Sequence, residues 1–323
     1  MSLRTLSCLL GIALASGTAS TALAQAYPEK AVRLVVPFAA GGGTDVLARL
    51  IAQKLSDEWG RNVVVDNRPG GGSVIGSELV ARSTADGYTL LLTANPHTSN
   101  PALVPKLPYD TLRDFTAVTM LASAPLMLVV HPAVPVRSVS EFIAYAKVRP
   151  NQLTYASSGN GGPQHLAGEL FKYMAGVEVL HVPYKGGAPA ITDLLGGQVQ
   201  LAFGAMLTVL PQVKGGRLRA LAITSAKRSE TNPEFPTIAE SGVPGFEVLT
   251  WYGVLAPAGT ARTTVLKIQS AMARALMTPE VKERLSRDGL QALGSRPEEF
   301  ASFVQKEIAK VKQLVRTAGI KAD

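Results

Sequence analysis

The stretch VPFAAGGGTDVLARLIAQKL, residues 36–55, joins an apolar strand to a helix through three consecutive glycines. The strand begins earlier, in AVRLVVPF (residues 31–38), and an amphipathic helix is predicted from Thr44 to Trp59. Thr44 is the predicted N-cap, and Gly60 follows the last helical residue. Glycine costs more backbone entropy than any other residue. Three of them in this position indicate that bare backbone is needed where the strand gives way to the helix.

The same order of strand, turn and helix continues along the chain. NVVVDN (residues 62–67) and GYTLLLTAN (residues 87–95) have the composition of strands, with a helix between them that ends near Arg82. This alternation predicts an α/β fold with parallel strands. In such sheets ligands gather at the carboxyl ends of the strands, where helix N-termini offer free N–H groups and partial positive charge. We therefore interpret GGGTD (residues 41–45) as a backbone cradle for an anion.

Two extended segments divide the chain into lobes. Residues 115–132 contain no helical pattern and are broken by Pro125, and residues 250–257 form a second extended run. We interpret both as crossings between domains, which leave a cleft between two α/β lobes. S-x-x-E capping boxes at Ser138 and Ser295 predict helix starts after each crossing. The predicted lobes comprise residues 27–124 plus 250–323 (lobe 1) and residues 125–249 (lobe 2).

A second glycine-rich junction lies in the second lobe. TYASSGNGGPQHLAGEL (residues 154–170) again places a Ser/Gly loop between a strand and a helix, with Pro163 in the first helical turn, a position that proline favours. If both loops face the cleft, N–H donors from two sides hold one anionic group and favour the closed state. The structural alternative is that such turns only allow close packing, as RPGGGS (residues 68–73) could do.

The N-terminus has the features of an export signal. An apolar core at residues 6–15 is followed by small residues, which predicts a signal peptide over residues 1–24, cut after Ala24 or alternatively after Ala26. The apolar core is too short to span a membrane. Cys8, the single cysteine, lies inside this segment, so the mature chain has no thiol for a disulfide, a metal or catalysis. We expect the protein in a bacterial periplasm.

Composition and motifs argue against several other functions. The net charge of +8 is scattered without a Lys/Arg block, which does not favour nucleic-acid binding. The four histidines lack ligand spacing, so no metal is expected. G-x-G-x-x-G fails because Val46 stands at the sixth position from Gly41, and no other cofactor motif is present. No G-x-S-x-G occurs, and the sequence assigns no base to Ser157 or Ser158. We therefore expect a binding protein, with an exported α/β enzyme acting on an organic acid as the alternative.

Several motifs together are similar to one family. They are YPEKAVRLVVPFAAGGGTDVLAR, VVVDNRPGGGSVIGSELVA, SSGNGGPQHLAGELF, HVPYKGGAPAITDLLGGQV and WYGVLAPAGT, in order along nearly the whole mature chain. The chain resembles the substrate-binding proteins of tripartite tricarboxylate transporters, the Bug family of periplasmic solute receptors. The resemblance implies a two-lobed type II periplasmic-binding-protein fold, with a ligand cleft between two Rossmann-like α/β domains. It also implies a monomeric receptor that closes on a small carboxylate and delivers it to membrane permease subunits; a receptor for a membrane sensor would look the same.

In this family, the loops that match residues 38–45 and 157–165 hold the carboxylate through backbone N–H groups and bridging water. The chain departs from the family near Ala39 and Ala40, where Pro or Gly is frequent, and near Gly162, where Ser is frequent. The resemblance implies a dicarboxylate, tricarboxylate, amino acid or aromatic acid as the ligand, and its identity stays open. The predicted ligand-binding residues are Phe38, Ala39, Gly41, Gly42, Gly43, Thr44, Asp45, Asn95, His97, Ser157, Ser158, Gly159, Asn160, Gly161, Gly162, Pro163, His165, Tyr184, Lys185 and Met206.

Some of these residues have a structural alternative. Asp45 can stabilise its turn, because a carboxylate beside an anion site is costly unless it binds an amine or a water. His165 lies one helical turn after the second loop and can brace it. His97 can line the cleft or lie in a surface loop. Lys185 can pair with a second carboxylate or sit in an exposed loop.

Overall fold

A mixed sheet flanked by helices forms the protein in the computed structural model, which describes residues 27–184, 187–229, 232–287 and 289–318. The strands are β1 (Val32–Val36), β2 (Val63–Asn67), β3 (Thr89–Ala94), β4 (Phe115–Val130), β5 (Thr154–Ser157), β6 (Leu180–Pro183), β7 (Leu201–Ala205), β8 (Arg219–Ile223), β9 (Leu249–Pro257) and β10 (Gln291–Ala292). The helices are α1 (Gly43–Trp59), α2 (Val74–Ala81), α3 (Pro96–Leu103), α4 (Val139–Lys147), α5 (Pro163–Ala175), α6 (Gly187–Leu195), α7 (Met206–Lys214), α8 (Arg262–Met277), α9 (Pro279–Arg287) and α10 (Pro297–Ala318). The predicted signal peptide lies outside the described residues.

Parallel pairing within each half of the sheet confirms the predicted α/β class. The strands follow the order β2-β1-β3-β9-β4-β7-β5-β6. At one end β1 pairs in parallel with β2 and β3, and at the other end β5 pairs in parallel with β6 and β7. The long strands β4 and β9 lie between these groups and are antiparallel to their neighbours. Each group of parallel strands therefore presents its carboxyl ends at one edge.

Strand β4 passes from one half of the sheet to the other without a break. It pairs with β9 from Phe115 to Pro125, then with β7 and β8 over residues 126–130. The prediction that Pro125 interrupts the segment was wrong. Proline lacks an N–H, and Pro125 stands where β4 leaves β9 for its next partners, so little ladder bonding is lost. The predicted lobe boundaries at 124–125 and 249–250 fall at this place, and the division into lobes stays a prediction.

Apolar side chains cover both faces of the sheet. In β3, Leu90 and Leu92 belong to one buried cluster and Leu91 to the cluster on the other side. In β4, Leu126 and Leu128 face one cluster and Met127 the opposite one. This alternation follows from the two-residue period of a strand, and it explains the continuous apolar runs in the sequence.

The two predicted capping boxes differ in the structure. At the start of α4 the backbone N–H of Glu141 donates to Ser138 Oγ at 3.1 Å, as predicted. At the start of α10 a glutamate accepts a backbone hydrogen bond, from Arg296 N to Glu299 Oε2 at 3.0 Å, but the serine does not cap the helix. Ser295 Oγ instead accepts from the N–H of Met120 in β4 at 2.9 Å, so its predicted capping role was wrong.

Helix α10 touches helices from both halves of the chain. Its Val311 and Leu314 pack with Leu166 of α5 and with the partly buried Leu103 of α3. Strand β3 leads into α3, and the second glycine loop leads into α5. The C-terminal helix therefore connects the elements that follow two different strand ends. Within the described part of the chain, no helix combines the length and apolarity that a membrane crossing requires.

Candidate functional site

The first glycine loop joins β1 to α1 at the carboxyl edge of the sheet. Gly42 is the N-cap of α1, with φ −76° and ψ 166°. Gly41 has a φ of +83°, a left-handed conformation that glycine adopts without steric cost. The predicted N-cap at Thr44 was wrong, because Thr44 already lies inside the helix. Gly60 in the left-handed conformation ends the helix, as predicted.

Asp45 holds this loop in shape. Its carboxylate accepts hydrogen bonds from Gly41 N at 2.8 Å, from Asn67 Nδ2 at 3.0 Å and from Arg49 Nε at 3.0 Å. Asn67 Nδ2 also donates to Phe38 O at 3.1 Å, so β2 and β1 are tied together. Burial of Asp45 raises its pKa, but the hydrogen bonds from Arg49, Gly41 and Asn67 outweigh this and leave the pKa below its ordinary value. The carboxylate is thus ionised and already satisfied by the loop.

The loop leaves backbone donors unused at the start of α1. The first N–H groups of a helix have no acceptor within the helix. Among the hydrogen bonds of the described residues, none uses the N–H of Gly42, Gly43 or Thr44. A Cβ placed on Gly43 would lie 3.3 Å from Tyr252 Oη, so the tyrosine hydroxyl stands beside these donors. The Tyr252 hydroxyl therefore lies next to the backbone at the start of α1.

The second glycine loop, between β5 and α5, repeats the first in backbone and in bracing. Gly162 is the N-cap with φ −75° and ψ 167°, and Gly161 has a φ of +72°. Gly161 N donates to His165 Nδ1 at 3.0 Å, so His165 takes the place that Asp45 has in the first loop. Pro163 is at the first helical position, as predicted. It lacks an N–H, and this loop therefore has one donor fewer than the first.

Histidine and serine side chains pack against the second loop and hold it in place. His165 stacks on His181 with ring centroids 4.0 Å apart. Ser157 Oγ donates to Gly159 O at 3.1 Å and lies 2.6 Å from His181 Nε2. Because the single hydroxyl proton goes to Gly159 O, Ser157 Oγ accepts from His181 Nε2, and the histidine is not a base for this serine. Ser157 is buried and its hydroxyl is bonded within its own loop, which is a structural role.

A cavity of about 470 Å³ opens beside the first loop. Its lining combines the loop, the first turns of α1, the crossing strands and the α9–β10 region. The described lining residues are Gly41, Gly43, Val46, Leu47, Leu50, Ala124, Pro125, Leu126, Ala205, Met206, Thr208, Thr250, Tyr252, Arg284, Leu285, Gly289 and Leu290. Of the predicted site residues, this lining includes Gly41, Gly43 and Met206, and the second loop is not among the described residues that line it.

Two predicted residues at the end of β3 lie beneath the surface. Asn95 Nδ2 donates to Leu249 O at 2.8 Å, and Asn95 Oδ1 accepts from Trp251 N at 3.2 Å, so its side chain fastens β9. His97 is fully buried, with its ring edge against Phe115 at 5.0 Å between centroids. Burial lowers the pKa of His97 to about 3, so the ring is neutral. The alternative that His97 lies in a surface loop was wrong.

Two other predicted residues, Ser158 and Tyr184, lie near the second loop. Ser158 Oγ donates to Gln164 Oε1 at 2.8 Å, and Tyr184 Oη donates to Asp193 Oδ2 at 2.7 Å. Burial and the hydrogen bond to Asp193 raise the pKa of Tyr184 to about 12. Lys185 lies outside the described residues. In the part of the chain that the structure describes, no group of His, Cys, Asp and Glu side chains could hold a metal ion.

Sequence reasoning missed Asn67 beside the first loop, and it gave Tyr252 only as one residue of the crossing segment that could form a cleft wall. Asn67 ends β2, and its position beside Val36 follows from the parallel register of β1 and β2. The sequence signal was available, since a polar pair closes NVVVDN at a predicted strand end. Tyr252 reaches the loop because β9 pairs with β3, where it stands opposite Ala94. That register had no sequence signal.

Two halves of parallel strands joined by crossing strands, with a cavity at a glycine-rich helix start, define a solute-binding protein. The solved structure of R. palustris Rpa4515 with adipate is 40% identical, with a TM-score of 0.80 over 92% of this chain and 100% of that one. MatC from Rhodopseudomonas palustris, solved with bound malate, is 33% identical, with a TM-score of 0.75 over 90% of this chain and 100% of that one.

The chain belongs to the tripartite tricarboxylate transporter family of receptors, TctC, which matches residues 47–320. Protein BugT of Bordetella pertussis (strain Tohama I) is 38% identical over 324 residues, which cover 99% of both chains. The resemblance to the Bug family is thereby confirmed. Proteins of this family are receptors and not enzymes, which confirms the prediction of a binding protein.

Proposed function

We propose that the protein is a periplasmic receptor that captures a small carboxylate and delivers it to the permease of a tripartite tricarboxylate transporter. The observation that carries the proposal is the set of unused backbone donors at Gly42, Gly43 and Thr44 beside the cavity. Donors at a helix start, together with the partial positive charge there, suit a carboxylate. The Asp45 carboxylate is hydrogen-bonded to Gly41 N and holds the loop in shape. It does not occupy the N–H groups of Gly42, Gly43 and Thr44, which stay available to a ligand.

The second loop also binds the carboxylate when the two lobes close. It has the backbone form of the first loop, and the residue in the position of Asp45 braces it in the same way. It already touches the first half of the chain, because a Cβ on Gly161 would lie 2.6 Å from Leu103 Cδ1. A carboxylate held by both loops contacts the closed form more fully than the open form, and this difference favours closure. Residues 27–124 plus 250–323 and residues 125–249 are the proposed moving lobes.

Two similar proteins support the ligand class. Rpa4515 was solved with adipate and MatC with malate, and both are small carboxylates. We extend that class, and neither ligand in particular, to this chain. We also propose that the chain is exported by a signal peptide cut after Ala24 or Ala26, that it works as a monomer, and that permease subunits are its membrane partners.

A thermal-shift screen of dicarboxylates, tricarboxylates, amino acids and aromatic acids tests the proposal. A ligand that binds only the native state raises the unfolding midpoint as its concentration rises. At a hundred times its Kd it adds about 2.7 kcal/mol to the free energy of unfolding. The ligand should be recovered chemically unchanged. Turnover of an acid, or no midpoint shift with any acid, would contradict the receptor assignment.

A pair of glycine variants then tests the loop. Gly43→Val places methyl groups over the donors, and the backbone there needs no left-handed conformation, so the protein should fold and lose binding. Gly196→Val is the matched control, because it is exposed and its Cβ would meet nothing closer than 3.5 Å. Equal affinity of the two variants would remove the first loop from the site.

A further inference from the structure

The cavity continues from the first loop along helix α1. Val46, Leu47 and Leu50 line it, and Leu50 lies seven residues beyond Gly43. At a rise of about 1.5 Å per residue, these side chains extend the cavity by roughly 10 Å from the backbone donors. Pro125 and Leu126 of the crossing strand border it as well. The cavity therefore reaches from the donors along about two turns of α1.

The walls of this space are mainly hydrocarbon. Met206, Leu285 and Leu290 add to the apolar side chains of α1 and β4. The hydroxyl of Thr208, one of the few polar groups in the described lining, already donates to Ala205 O at 2.8 Å. Arg284 is the charged side chain of the described lining, and it is not free. Thr250 and Tyr252 are the other polar side chains of the described lining, and Tyr252 Oη stands beside Gly43 at the backbone donors. A ligand body that lies farther along α1 therefore meets mainly apolar side chains.

This composition discriminates between kinds of carboxylate. A hydroxylated dicarboxylate or tricarboxylate would bring several polar groups against apolar walls, and burying an unpaired charge or hydroxyl is costly. A hydrocarbon body gains about 0.8 kcal/mol for each CH₂ group that leaves water. The volume of about 470 Å³ lies within the range of ordinary small-molecule pockets.

We infer that the ligand is a carboxylate on a hydrocarbon body, an aliphatic chain or an aromatic ring. Its carboxylate binds the N–H groups at the start of α1, and its body lies along Val46 and Leu50. The inference rests on the proposed receptor function and names the substrate class of that same site.

Isothermal titration of the purified protein with hexanoate, benzoate, malate and citrate tests the inference. Hexanoate or benzoate should bind at least about tenfold more tightly than malate and citrate, with a negative heat-capacity change from apolar burial. Malate or citrate binding as tightly as the better of the two apolar acids would overturn the substrate class and leave the receptor function standing. Absence of binding by all four acids would overturn the substrate class. The receptor function would fall with it only if no acid in the thermal-shift screen moved the unfolding midpoint either.

A matched pair of substitutions locates the body of the ligand. Val46→Thr exchanges a methyl group for a hydroxyl of similar size, and Val46 is 38% exposed on the surface of α1, so folding should be little affected. Val64→Thr is the control on β2, where Val64 is 52% exposed and absent from the described lining. Val46→Thr should weaken hexanoate binding about three- to fivefold, and Val64→Thr should not. An unchanged affinity in Val46→Thr would refute the placement.

Discussion

Substitution of Asp45 by Asn should weaken the first loop measurably. The carboxylate satisfies Gly41 N and Asn67 Nδ2, and an amide offers one oxygen acceptor, so one of these donors then faces an NH₂ group. Loss of one charge-assisted hydrogen bond with a donor left unsatisfied costs about 2 kcal/mol of unfolding free energy. The ion pair with Arg49 adds little, because the Arg49 side chain is 56% exposed.

Urea unfolding followed by tryptophan fluorescence measures this loss. Trp251 is fully buried and reports on the core of the sheet. Asp57→Asn is the control on the same helix, since exposed Asp57 accepts a single bond from Gln53 at 2.8 Å. It should change stability by less than about 0.5 kcal/mol. Equal stability of the two variants would refute the bracing role of Asp45.

The same pair of proteins has a defined pH dependence. The pKa of Asp45 lies below its ordinary value of 3.8, so its stabilising contribution is complete above that pH and is lost as the pH falls through the lowered pKa. The stability difference between the natural chain and Asp45→Asn should be constant at neutral pH and should shrink in acid below about pH 3.8. A difference that grows on acidification would contradict the assignment.

Two further substitutions test the brace of the second glycine loop and the hydrogen bonds where the crossing strands enter the second half of the sheet. His165→Ala removes the acceptor of Gly161 N, so it should raise the amide-exchange rate at Gly161 and weaken ligand binding; unchanged exchange would exclude the brace. Thr224→Val removes the hydroxyl that bonds Leu126 N at 2.7 Å and Val248 O at 2.6 Å, where both crossing strands enter the second half of the sheet. It should cost about 2–4 kcal/mol in urea unfolding, and a loss below about 0.5 kcal/mol would contradict the clamp.

Local signals in the sequence predicted much of the fold. Helix α1 ends at Trp59 before a left-handed Gly60, and Pro163 stands at the first position of α5, both as predicted, because glycine and proline set helix ends through backbone geometry alone. Helices α3 and α7 were missed. Each begins directly after a strand and contains an internal proline, Pro101 or Pro211, which in a sequence indicates a break.

In the site, too, contacts between residues close in sequence were open to sequence reasoning, and contacts between distant segments were not. The bracing of Gly41 by Asp45 and of Gly161 by His165 spans four residues and was open to sequence reasoning as the structural alternative. The approach of Tyr252 to Gly43 joins segments about 200 residues apart and depends on strand register. The extension of the cavity to α9 likewise arises from helix packing, which no local pattern encodes.

Amide chemical shifts during ligand titration show whether the N–H groups at the start of α1 bind the carboxylate. In protein labelled with ¹⁵N-glycine, saturation with a bound carboxylate should move the amide protons of Gly42 and Gly43 downfield, because these N–H groups gain an acceptor. Gly41 is the internal control, since its N–H already donates to Asp45 at 2.8 Å and should move little. Binding that leaves the signals of Gly42 and Gly43 in place would contradict a backbone cradle at the start of α1.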